Sequence, residues 1–137
     1  MPGEGKEIKG PLVSVIAVMI LAILMIGSCI YAGSRLSGSS SELTAILEKL
    51  ENDILSSDWE SAEKNSRDFE EKWSGTKGFW AALTDHSEID NIEHTFSRLK
   101  KFVQTKDTSL ALAEVSVLNK FISHIPDNQR ITLENIF

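Results

Sequence analysis

The polarity of the chain changes character near residue 33. From Leu12 to Ala32 no side chain carries a charge, and 11 of these 21 residues are Leu, Ile or Val. Beyond Gly33 apolar residues no longer run together; they recur three and four apart among charged ones. The first pattern predicts a helix apolar on every face. The second predicts helices with one apolar stripe each.

A 21-residue helix is about 31 Å long at roughly 1.5 Å per residue, which matches the ~30 Å hydrocarbon core of a bilayer. Residues 12–32 are therefore expected to form a transmembrane anchor, preceded by a short arm, 1–11. Lys6 and Lys9 precede the span and Arg35 follows it. By the positive-inside rule the arm stays in the cytoplasm and the rest of the chain is exported. Two other fates fit the same segment. Ile26-Gly27-Ser28-Cys29 resembles a lipobox, in which Cys29 would be lipidated, and cleavage as a signal peptide would release the domain. The length of the run favours an uncleaved anchor, since signal peptides carry a shorter apolar core. All three place the domain outside the cytoplasm, at the cell envelope.

Gly33 to Ser41 reads as a flexible linker of Gly and Ser. The soluble domain is then expected over 42–137. Ser39 with Glu42 fits a capping box, followed by Leu43, Ile46, Leu47, Leu50, Ile54 and Leu55 at helical spacing. Asp58 is a good N-cap for a second helix with Trp59, Ala62, Ser66, Phe69 and Trp73 on one seam. Ser74 to Gly78 is expected to be a loop. Phe79, Trp80 and Leu83 then open a third helix that breaks near Thr84-Asp85, where Ser87 caps a fresh start. Its seam is Ile89, Ile92, Phe96, Leu99 and Val103. A fourth helix carries Leu110, Ala113, Val117, Phe121 and Ile125 and stops at Pro126. No segment alternates like a strand. The fold class is thus all-α: an N-terminal transmembrane helix followed by an antiparallel bundle of about four helices. Asp58-Trp59 with Ala62 is echoed by Asp107 with Leu110 and Ala113, 49 residues later, as two αα-hairpins with similar caps would produce.

Of 14 basic and 20 acidic residues, three and two fall in the first 35. The remainder carries 11 against 18, a net −7. That balance disfavours nucleic acid as a partner, because such binding needs cations on phosphates. Cys29 is the only cysteine, so no internal disulfide or cysteine zinc site can form.

Candidate chemistry is sparse. His86, Asp90 and His94 are spaced i, i+4, i+8, but a row without a closed ligand set is a weak metal motif. Asp85, Glu88, Asp90 and Glu93 read as a solvated acidic face. No nucleophile–base set and no phosphate loop is present. The expectation is a non-enzymatic protein with no cofactor and no metal. Trp80, beside a glycine-rich segment, and His86 could border a partner surface. Leu133, Ile136 and Phe137 could either plug the bundle or dock another protein. Heptad-like seams on the second and third helices allow self-association as well as an intramolecular bundle.

Asp85-His86-Ser87-Glu88-Ile89-Asp90, Arg98-Leu99, Asp107 and the closing Glu134-Asn135-Ile136-Phe137 together resemble a family of small membrane-anchored proteins of spore-forming Gram-positive bacteria, of the clostridial and bacillus groups, known only as a domain of unknown function. Trp59 to Trp80 also fits it. The resemblance implies an N-terminal anchor, an exported helical domain and a cell-envelope setting, with no assigned activity. It suggests an accessory that binds a larger membrane protein. The alternative is a small-molecule or peptide sensor, with a groove between helix pairs near Trp80 and His86.

Overall fold

A computed structural model describes residues Lys9 to Glu134, with side chains from Gly10 to Asp127. There are four helices: α1 (Lys9–Leu55), α2 (Trp59–Leu83), α3 (His86–Gln104) and α4 (Thr108–Glu134). No strand occurs among the described residues. The chain divides into two units, 1–34 and 35–137.

The first unit is the N-terminal part of α1. It is long and apolar enough to cross a membrane. Every side chain from Gly10 to Tyr31 is exposed. Two of its serines turn their hydroxyls back on the helix: Ser14 Oγ donates to Gly10 O at 3.1 Å and Ser28 Oγ to Met25 O at 2.8 Å. Such internal bonds suit a medium that supplies no partners.

The second unit is an antiparallel four-helix bundle, and its polar links fix the order of the helices. Lys72 pairs with Glu42 and Asn65 Nδ2 donates to Asp53, joining α2 to α1. Lys77 pairs with Glu93 and Lys100 with Glu70, joining α2 to α3. Arg98 forks onto Glu114 at 2.8 and 2.9 Å, joining α3 to α4. Ser40 Oγ reaches Ile122 O, closing the ring from α1 to α4. Every neighbour runs opposite to the next.

The seams foreseen on α2 and α3 are the buried ones. Ala62, Ser66, Phe69 and Trp73 are buried on α2, with Trp59 partly covered; all five α3 positions are buried. Phe69 packs on Phe96 with ring centroids 4.7 Å apart.

Four expectations are corrected. The linker expected over 33–41 is helix, part of α1. Leu36 and Ser40 are buried in the bundle, and Ser39 lies within the helix rather than capping it. The loop expected at Ser74 to Gly78 is also helix. Gly75 and Gly78 each cost about 1 kcal/mol relative to Ala. Trp73 and Trp80, seven residues apart, are both buried and stack edge-to-face at 5.5 Å. Two unbroken turns place them on one face, and their burial outweighs the glycines. The cap of α3 is Asp85, whose carboxylate accepts from Ser87 N at 2.9 Å. Finally, α4 passes through Pro126, and its buried face is Ala111, Val115, Leu118, Ile122 and Ile125. Leu110 and Val117, expected inside, are 47% and 41% exposed. The rotation of α4 that buries the Ala111 face also brings Glu114 onto Arg98.

The two hairpin turns share one geometry. Ser57 and Lys106 are left-handed, at φ 58° and 57°. Behind them Asp58 N donates to Asp53 O at 2.9 Å and Asp107 N to Phe102 O at 2.9 Å. This is the Schellman closure of α1 and of α3. The aspartates then cap the following helices, accepting from Ser61 N at 3.2 Å and Leu110 N at 3.0 Å. The 49-residue echo in the sequence is therefore a repeated turn. Glycine suits this conformation better than serine or lysine. Ser57→Gly and Lys106→Gly are each expected to stabilise the bundle by up to about 1 kcal/mol, seen as a higher urea midpoint.

Candidate functional site

At one end of the bundle two adjacent hydroxyls on α1 grip the two neighbouring helices. Trp80 is fully buried, and its Nε1–H donates to Ser39 Oγ at 2.9 Å. Ser39 Oγ donates onward to Leu36 O at 3.0 Å. Ser40 Oγ donates to Ile122 O on α4 at 2.8 Å. Trp80 is thus a core residue and not the partner surface proposed for it from the sequence; a loop that would have exposed it does not exist. His86, the first residue of α3, is exposed. The side chains of Leu133, Ile136 and Phe137 lie outside the described residues.

An opening between α2 and α3 lies farther along, at Trp73 and Phe96. It is a cleft of about 600 Å³, lined also by Glu70, Ser74, Glu93 and Ser97, with Arg98, Lys100, Lys101 and Gln104. The two cross-helix ion pairs, Lys77–Glu93 and Lys100–Glu70, bracket it. Lys100 Nζ also lies 5.8 Å from the centroid of the Phe96 ring, within cation–π range. Trp73 Nε1 is buried without a hydrogen-bond partner. The sequence signal for this cleft is the Arg98, Lys100, Lys101 cluster in an otherwise acidic domain.

A second surface is the exposed stripe of α4. Leu110, Ala113 and Val117 are exposed and Phe121 is half-buried. Here the sequence found the right residues and assigned them to the wrong side.

The candidate metal row is spread over solvent: His86, Asp90 and His94 are all exposed. Among the described residues no three His, Cys, Asp or Glu side chains gather in a metal-holding group. The acidic cluster is partly committed to structure. Asp85 is held below the usual carboxylate range, first by the Ser87 backbone N–H and then by the Ser87 hydroxyl. Asp58 is lowered in the same way by Ser61, its hydroxyl first. The carboxylate of Glu114 raises Arg98 through its hydrogen bonds. Each of these groups is held in its charged form.

The fold and these surfaces define a class: a single apolar helix continued by a four-helix up-and-down bundle. The chain belongs to the family described as domain of unknown function DUF4363, whose profile matches residues 30–136. The match covers the whole bundle and begins near the end of the apolar run, so residues 12–29 fall outside it. No curated protein and no solved structure matches the chain.

Proposed function

We propose that this protein is a membrane-anchored, non-enzymatic accessory that binds a larger membrane or envelope protein through its exported bundle. The observation that carries the reading is the uninterrupted exposure of α1 from Gly10 to Tyr31. Soluble monomers rarely leave so large an apolar surface in water. Residues 12–32 are the anchor, the N-terminal arm is cytoplasmic, and the bundle lies at the outer face of the cell membrane. The α4 stripe of Leu110, Ala113 and Val117 is the contact surface on the described part of the bundle, and Leu133, Ile136 and Phe137 serve as a docking tail. Association with a second copy uses the same stripe.

The test is crosslinking of tagged full-length protein in intact cells, followed by mass spectrometry. An integral membrane protein should be captured by the wild type and lost with Leu110→Glu plus Val117→Glu, or on removal of residues 133–137, while helical circular dichroism is unchanged. Capture that survives both changes would remove α4 from the reading. Capture of only the protein itself would make it a self-associating scaffold.

The cleft at Trp73 supports a second reading, a sensor of a small molecule or peptide. Its buried indole N–H lacks an acceptor, and Lys101 stands on its lining. Titration with carboxylate-bearing ligands should then quench tryptophan fluorescence in the wild type and not in Trp73→Phe.

A further inference from the structure

Pro126 sits inside α4, not at its end. A proline has no N–H to donate, and its ring pushes away the carbonyl four residues earlier. In α4 that carbonyl belongs to Ile122, which is fully buried. It still has a partner: Ser40 Oγ donates to it at 2.8 Å, from 82 residues away in the sequence. Ser40 is itself only 6% exposed, so water cannot readily take its place. The proline is buried as well. One hydroxyl on α1 therefore supplies the bond that the proline removes from α4.

We propose that Ser40, Ile122 and Pro126 form a latch. The hydroxyl bond holds the proline hinge of α4 closed; its release lets the segment from Ser123 to Glu134 open while the rest of the bundle stays folded. Serine suits this role because its hydroxyl has an alternative acceptor in the carbonyl one turn back on its own helix. Ser39 makes a bond of this kind on the same helix, to Leu36 O. The latch also reads the rotation of α1 within the bundle. Ser39 and Ser40 are about 100° apart around the helix axis; one holds α2 through Trp80 and the other holds α4. A turn of α1 takes both hydroxyls off their partners at once. On the reading that the end of α4 leads to a docking tail, the latch governs how that tail is presented.

The test is hydrogen–deuterium exchange with mass spectrometry on full-length protein in detergent micelles. Ser40→Ala should speed exchange of the amides in 123–134 by about tenfold or more, because a carbonyl in a buried residue loses the hydroxyl that stands in for the missing proline N–H and the local opening equilibrium shifts. Amides of α2 and α3 should be unchanged. In Ser40→Ala with Pro126→Ala the new N–H of residue 126 satisfies Ile122 O, and exchange in 123–134 should return to the wild-type level or below it. Unchanged exchange in Ser40→Ala would overturn the latch. So would a rise shared equally by α2 and α3, or a double variant that stays as fast as Ser40→Ala. None of these readouts uses a partner, so the latch and the accessory reading stand or fall separately.

Discussion

Trp80→Ala is expected to destabilise the bundle by about 3–5 kcal/mol, the range for removing a large aromatic side chain from a core that cannot collapse around the hole. Trp80 is fully buried, and it touches both neighbouring structures that define this end of the bundle. Its ring stands edge-to-face on Trp73 at 5.5 Å, and its Nε1–H donates to Ser39 Oγ. Domains have a total stability of roughly 5–15 kcal/mol, so the variant should be at or near the limit of folding. Trp80→Phe separates the two contributions. It keeps most of the buried ring and removes the indole donor, at a cost of about 1–2 kcal/mol, because Ser39 Oγ keeps its bond to Leu36 O. His86→Ala, at an exposed position three residues past the end of α2, should stay within about 0.5 kcal/mol of wild type. Urea unfolding followed by circular dichroism in detergent micelles measures all three. If Trp80→Ala unfolded at the wild-type midpoint, Trp80 would have to be a surface residue, and the α2 seam would end at Trp73.

The seams of α2 and α3 could be read from the chain because each helix carries a single apolar stripe with aromatic residues on it. No competing face exists around Phe69 or Phe96. α4 offered two stripes, one through Leu110, Ala113 and Val117 and one through Ala111, Val115 and Leu118. Periodicity weighs them nearly equally. The choice falls to how Val115, Leu118 and Ile122 pack against the other helices, which a single sequence does not display. The serines from 37 to 41 misled for a related reason. Gly and Ser in a row read as linker because neither residue favours a helix. The stretch is helical because Leu36 and Leu43 on either side of it are buried in the bundle, where Trp80, 41 residues away, and Ile122, 82 residues away, take up the hydroxyls of Ser39 and Ser40. Pro126 looked like a stop because local rules give its helix no way to satisfy Ile122 O, and the remedy comes from α1. Of the surface residues proposed, His86 is exposed and Trp80 is buried. The cleft at Trp73 and Phe96 depends on the register between α2 and α3, which the sequence of either helix alone does not set.

Leu21→Arg combined with Leu24→Arg is expected to release the protein from membranes. Near the middle of a span each arginine opposes insertion by about 2.5–3.5 kcal/mol, and each lost leucine removes about 0.3–0.6 kcal/mol of the drive. Together they offset the whole contribution of the 11 aliphatic residues, at ~0.3–0.6 kcal/mol apiece. Alkaline carbonate extraction should leave the wild type and a Leu21→Val, Leu24→Val control in the membrane pellet and move the arginine variant to the supernatant. The wild type appearing in the supernatant would remove the anchor altogether. The bundle itself should not notice the change. Its buried core begins at Leu36, and no side chain from Gly10 to Tyr31 is buried, so the two substitutions delete nothing that the second unit packs against. An arginine variant that left the membrane with an unchanged urea midpoint would show that the exposed face of α1 serves only the lipid. A midpoint that fell with it would mean that the first unit also supports the fold, and that the apolar surface from Leu12 to Ala32 has a protein partner within the same chain.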